Sequence, residues 1–218
     1  CGYILYPGKT TKAETFRVGN IGEISRKPVF VMDYNGNKLS GIVGISASRN
    51  HAIAVRADGT VFTWGSNDYG QLGNNTKTSS AYAIQVLDST GNDYLKDVVQ
   101  VSAGAAYVSV VKNDGTVWSW GAGASAQMGD GARTQRSLPV QAKNVTDVKK
   151  VATGCYITLV LKNDGTVWAW GENKYGSLGI GTSQDSLYPV QTKGLKDIVC
   201  VNAKGDYSMA VDSEGYVW

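Results

Sequence analysis

The chain has one histidine, His51, and three cysteines, Cys1, Cys155 and Cys200, among 218 residues. Any serine triad would have to share that histidine, and no Cys/His spacing suits a metal ion. An odd number of dispersed thiols cannot all pair within the chain, so they read as small buried hydrophobes and not as a disulfide framework. No apolar run approaches membrane-spanning length, and the first residues do not look like a signal peptide. Charge is sparse as well: 21 basic against 18 acidic residues leave +3 without basic runs, too diffuse for a nucleic-acid footprint. What is left, 42% apolar and 18% charged, is the composition of a protein with a sizeable core.

Tryptophan is where the sequence concentrates its content. All six lie in copies of one motif: DGTVFTWG (Asp58 to Gly65), DGTVWSWG (Asp114 to Gly121), DGTVWAWG (Asp164 to Gly171) and a shortened EGYVW (Glu214 to Trp218). The turn glycines Gly59, Gly115, Gly165 and Gly215 are separated by 56, 50 and 50 residues, and CGYILYPG from Cys1 to Gly8 fits the same phase. A fixed period of this size signals a propeller or solenoid. Placing Cys1 at the turn-acid position argues against a lipidated terminus. The units run approximately 1–58, 59–114, 115–164 and 165–214, with 215–218 starting the next.

Each unit reads as four short strands. In the second these are AIQV from Ala83, VVQVSAG ending at Gly104, VSVVK from Val108 and TVWSWG from Thr116. The strands VSVVK, AIAVR, TLVLK and SMAVD are apolar on both faces and must be covered on both sides. Asp-Gly between the last two strands predicts a two-residue hairpin turn. Trp118 and Trp120 then point to one face and Val117 and Ser119 to the other, so radially arranged sheets can pack bulky face on small face. Burying one tryptophan is worth up to ~5 kcal/mol at about 25 cal/mol per Å², which favours all six as inter-sheet core over a stacking platform.

After each motif comes a glycine-rich loop: GSNDYGQLG, GAGASAQMG and GENKYGSLG. The middle one contains G-x-G-x-x-A, but a dinucleotide site needs a helix opening next, and QMGDGARTQRSLP offers none. Gly123 aligns with Asn67 and Asn173, which suggests a shared left-handed turn residue. Tyr69 and Tyr175 recur in these loops as local packing groups.

DGTVWAWGENKYGSLG, followed by Pro189-Val190-Gln191 and VNAKGDYSMAV, resembles the repeat of the regulator of chromosome condensation family. The resemblance implies an all-β propeller of four-stranded antiparallel blades, usually seven. About four units are present, so the expectation is part of a larger propeller, or one completed by additional blades or self-association, with a closed four-bladed ring as the third choice. Of the family's Gly-x-x-His stretch, the histidine is kept only at His51, where Ser48 replaces the glycine; Tyr107, Ile157 and Tyr207 stand at the histidine position otherwise. In the first unit Pro7 replaces the final tryptophan and GNIG (Gly19 to Gly22) only echoes GQLG. Two links carry extra residues, MDYNGNKL from Met32 and LDSTGNDYL from Leu87, and read as protruding hairpins.

The sequence offers no catalytic residue, no metal site and no cofactor. The recurring Asp58, Asp114 and Asp164 are explained by turn geometry and lack the alternate oxygen ligands of a calcium loop. Surface recognition remains, with a protein partner and without nucleic acid or membrane insertion. The candidates are Arg49, Asn50, Tyr156 and Asp206 in the loops before the second strands, and Tyr34, Asn35, Asn92 and Tyr94 in the inserted links. The expected role is a non-catalytic interaction module; the resemblance also implies guanine-nucleotide exchange on a small GTPase, and enzyme inhibition or glycan binding are further alternatives. A bacterial secreted or cell-surface location is the accompanying expectation.

Overall fold

A computed structural model describes residues 29–218; the motif copy at 1–8, the GNIG echo and Cys1 lie outside the described residues. Three complete antiparallel sheets follow in order. The first holds β1 (Ile42–Ala47), β2 (His51–Arg56), β3 (Val61–Gly65) and β4 (Ser80–Gln85). The second holds β5 (Val98–Ala103), β6 (Tyr107–Lys112), β7 (Val117–Gly121) and β8 (Arg136–Gln141). The third holds β9 (Val148–Thr153), β10 (Ile157–Lys162), β11 (Val167–Gly171) and β12 (Ser186–Gln191), and β13 (Ile198–Lys204) with β14 (Tyr207–Asp212) forms a two-stranded fourth. These sheets are the blades of a β-propeller.

The blades are out of phase with the units drawn from the sequence. AIQV belongs to β4, which pairs β3 through Phe62–Gln85 and Thr63–Ile84, not to the sheet that follows it. Each unit counted from its turn glycine therefore gives its first two strands to one blade and its last two to the next. The glycine loop folds β4 back onto β3, whereas the link Val86 to Asp97 crosses to the neighbouring blade.

The Asp-Gly turns also differ from a two-residue connection. Gly59 N–H donates to the Arg56 carbonyl and Arg56 N–H to the Thr60 carbonyl, closing a three-residue loop in which only Gly59 has positive φ, +80°. Asp58 Oδ1 accepts from Thr60 N (2.9 Å) and Thr60 Oγ1 (2.6 Å), an arrangement repeated by Asp114 with Thr116 and Asp164 with Thr166. These threonine bonds hold all three carboxyls below the usual range. Turn acid and turn threonine thus work as one unit.

The core lies between blades. Trp120 packs with Val101, Val108 and Val110 against Ile53, Val55 and Val61 of the first blade, and Trp170 packs with Val151 and Val160 against Val111 and Val117 of the second. Each indole Nε1 donates at 2.9 Å to a carbonyl in the preceding blade's glycine loop, Gln71 for Trp120 and Gln127 for Trp170. Trp64 is buried too, against Phe62, Ala83, Val31 and Leu39, although its Nε1 has no partner among the described residues.

Two further tryptophans correct the expectation of a uniform core. Trp118 and Trp168, at the hairpin end of their strands, are only half-buried; their Nε1 atoms donate to Thr116 and Thr166 Oγ1, and Lys112 and Lys162 ammonium groups stand 5.9 and 5.8 Å from their rings. Trp218, the last residue of the sequence, donates to Asp212 Oδ2, and its exposure there does not test the expectation. Same-face alternation does not distinguish height on the blade, and only the position near the glycine loop is roofed by the neighbouring sheet.

Asn67, Gly123 and Asn173 correct a second expectation, because none has positive φ; the left-handed site is Gly70, Ala126 and Gly176. Asn67 and Asn173 are buried staples. Asn173 Nδ2 donates to the Thr182 and Gln184 carbonyls while its Oδ1 accepts from Leu178 N, and Asn67 does the same with Thr76, Thr78 and Leu72. At Gly123 an added Cβ would stand 1.9 Å from the Thr134 carbonyl, so backbone approach replaces the amide staple there.

Candidate loop-face interaction surface

The loops between first and second strands stand beside the glycine loops on one face of the propeller. Asn50, Ala106 and Tyr156 carbonyls accept from Ser66, Ala122 and Glu172 N–H groups at 2.7, 2.9 and 3.0 Å, tying each pair of loops together within its blade. Between blades, Ser48 Oγ donates to the Ala105 carbonyl (3.1 Å) and Cys155 N–H to the Gly205 carbonyl (2.7 Å). The loops thus form a braced arc on which Arg49, Asn50, Tyr156 and Asp206 are exposed.

The remaining candidates lie elsewhere. Asn92 and Tyr94 are exposed on the link that reaches Asp97, whose carbonyl accepts from Asn113 beside the Asp-Gly turns, so they belong to the opposite face. Tyr34 runs along the outer strand of the first blade, its ring 5.2 Å from Tyr82 and its hydroxyl accepting from Ser80 Oγ at 3.2 Å. Asn35 sits in the tight turn capped by Asp33. Both inserted links are hairpins, closed by Met32–Lys38 and Leu87–Tyr94 bridges. The eight residues therefore occupy three separate surfaces.

One exposed aromatic on this face was not expected from the sequence. Tyr175 is 71% exposed and Tyr156 46%, and with Glu172, Lys174 and Asp206 they edge a shallow depression above Ile157. Tyr175 is displaced outward because Leu178 and the Asn173 staple fill the loop interior; Tyr69 is exposed over Leu72 and Asn67 for the same reason. The signal was present in the loop pattern, whose apolar and amide positions already satisfy its core.

The titratable groups here are poor reagents. His51, 2% exposed, is pushed down to about 4 by burial, with the nearby Tyr107 backbone opposing weakly, and neither ring nitrogen makes a well-formed hydrogen bond among the described residues. Burial, and secondarily Asp206, pushes the Cys155 thiol up, so it is held as a thiol. Among the described residues no cluster of three His, Cys, Asp or Glu side chains could hold a metal, and no helix is long and apolar enough to cross a membrane.

The pattern described as Regulator of chromosome condensation (RCC1) repeat matches residues 58–111, 114–161 and 164–211, and a second pattern of that description matches 42–71 and 148–177. The chain belongs to this family. It is 33% identical over 125 residues to the human Probable E3 ubiquitin-protein ligase HERC6, covering 57% of this chain and 11% of that protein. It is 31% identical over 120 residues to Protein pim1 of Schizosaccharomyces pombe, covering 50% and 21%. Among solved structures it resembles human WBSCR16 (TM-score 0.69, 24% identity, 80% of this chain and 46% of that one) and Prp20p of Saccharomyces cerevisiae (TM-score 0.67, 21% identity, 79% and 44%). The chain thus spans less than half of each. These relatives are eukaryotic, so the expectation of a bacterial surface protein finds no support among them.

Proposed function

We propose that this chain is a section of a non-catalytic, protein-binding propeller that engages its partner through the loop face. The observation that carries this reading is the pair Tyr156 and Tyr175, exposed on braced loops beside Asp206 and Lys174. Tyrosine offers large contact area at low entropy cost, and such residues dominate interface energies. The buried, depressed His51 and the protonated Cys155 offer this face neither an imidazole base nor a thiolate nucleophile. Among solved relatives, yeast RCC1 (Prp20) is seen bound to Kap60, and Prp20p is described with binding properties to Gsp1p and histones.

Membership of the family supports a second reading, exchange activity on a small GTPase. Its requirement is a protruding wedge, and the two inserted hairpins are the short candidates for one. A nucleotide-release assay across a GTPase panel decides between them, acceleration favouring exchange. For the first reading, quantitative affinity capture compares the parent protein with a Tyr156→Ala/Tyr175→Ala variant and with an Asn92→Ala/Tyr94→Ala variant. A partner should be lost roughly tenfold from the loop-face variant and kept by the other. Identical capture by all three would refute the loop face as the docking surface.

A further inference from the structure

A groove of about 830 Å³ runs along the outside of the second blade, away from the loop face. Its lining is an unbroken stretch from Gln135 to Thr146, comprising β8 and the link after it, together with Trp118 and Ser89. Ser89 comes from the longer inserted link, whose Gly91 packs on Leu138 so closely that an added Cβ would stand 3.2 Å from it. The insertion before the second blade thus supplies a wall. The link after β8, from Ala142 to Asp147, is short.

We infer that this groove binds an extended acidic peptide of a partner protein. Its shape is a trough along a strand, which suits an extended chain. Leu138, Pro139 and Val145 give apolar lining, and the half-buried Trp118 adds an indole. Charge decides the class of occupant: Arg136 and Lys143 line the groove, and among the described residues no carboxylate does. Arg136 is anchored from behind by the buried Asp130, through Nε at 3.0 Å and through Nη2. Lys143 is exposed and makes no ion pair among the described residues. The Lys112 ammonium lies 5.9 Å from the Trp118 ring centroid and is paired with Asp97 at 3.9 Å, so Lys143 is the unpaired cation that an acidic chain would meet. Pro139 has no N–H to offer, so recognition rests on side chains and not on a continuous added strand.

The test uses a fluorescein-labelled Glu-Leu-Glu-Leu-Glu-Leu-Glu peptide in anisotropy titrations at low and high salt. Controls are the same peptide with Gln for Glu and unlabelled maltoheptaose as competitor. The acidic peptide should bind the parent protein and weaken with salt; the Gln peptide should bind roughly tenfold more weakly. Lys143→Glu and Ser89→Trp, both at exposed positions, should each reduce binding about three- to tenfold while circular dichroism shows the fold retained. Failure of the acidic peptide to bind, equal binding of the Gln peptide, unchanged affinity in Lys143→Glu, or displacement by maltoheptaose overturns the inference.

Discussion

Two neighbouring seams of the propeller are built on one plan and finished differently. Between the first and second blades the position after the loop is His51; between the second and third it is Tyr107. Both side chains are buried. Tyr107 sends its hydroxyl across the seam to the Ile157 carbonyl, with Thr158 Oγ1 at 3.1 Å, while both nitrogens of His51 lack a well-formed hydrogen bond among the described residues. Burial pushes the Tyr107 phenol up and the His51 imidazole down, so each is held neutral. The apolar packing is interchangeable between the seams, whereas the polar closure is not. A seam tolerates an uncompensated imidazole only as long as it carries no charge.

The largest expected effect tests what the seams share. Trp120→Ala and Trp170→Ala should each destabilise by about 3–5 kcal/mol, because both indoles are fully buried and both lose a bond to a glycine-loop carbonyl. Chemical denaturation followed by circular dichroism measures this. A cost under about 1 kcal/mol at either seam would show that its neighbours collapse into the gap.

The next effect separates the seams by pH. His51 titrates near 6.5 when unfolded and at about 4 when folded, so the unfolded chain takes up the proton first. The seam keeps its full stability above pH 6.5 and loses it as pH falls toward 4, to a total of about 3 kcal/mol. The exposed turn carboxyls also titrate in acid, so the measurement is a difference between parent and variant. His51→Tyr should flatten the stability profile between pH 6.5 and 4.5, and Tyr107→His should steepen it. Parallel profiles for the parent and His51→Tyr would mean that His51 finds a proton acceptor in the folded state.

Much of this was legible in the sequence, for physical reasons that also mark the limit. Period, strand alternation and turn glycines act locally, and they predict the blades, the small-face and bulky-face packing and the buried Trp120 and Trp170. Blade phase was not local: β4 joins β3 because of which link crosses between sheets, and no strand pattern encodes that. Trp118 and Trp120 differ by height along a strand, a property of the neighbouring blade's extent. Gly123 and Asn173 share a sequence column for opposite reasons, backbone approach in one and an amide staple in the other. For the site, surface residue types were readable but their placement was not. Arg49, Asn50, Tyr156 and Asp206 share a face, Asn92 and Tyr94 lie across the molecule, and Tyr175 emerged only once the loop interior was seen to be full.

The smallest effect sharpens the comparison at the innermost strands, where the two seams again use one position in two ways. Ser46 Oγ accepts from Ala103 N–H at 3.0 Å across the first seam. Ser102, its counterpart one blade on, both shares a hydroxyl–hydroxyl contact with Thr153 Oγ1 (2.7 Å) and accepts from Thr153 N–H at 3.2 Å. Ser46→Ala removes one acceptor and should cost about 0.5–1 kcal/mol; Ser102→Ala leaves two groups to find new partners and should cost about 1–2 kcal/mol. Thr153→Val together with Ser102→Ala should recover part of that loss, since removing both hydroxyls leaves only the Thr153 N–H unanswered. Equal costs for the two serines, read from denaturation midpoints, would show that water replaces the lost bonds at both seams and that the inner strands contribute to shape more than to stability.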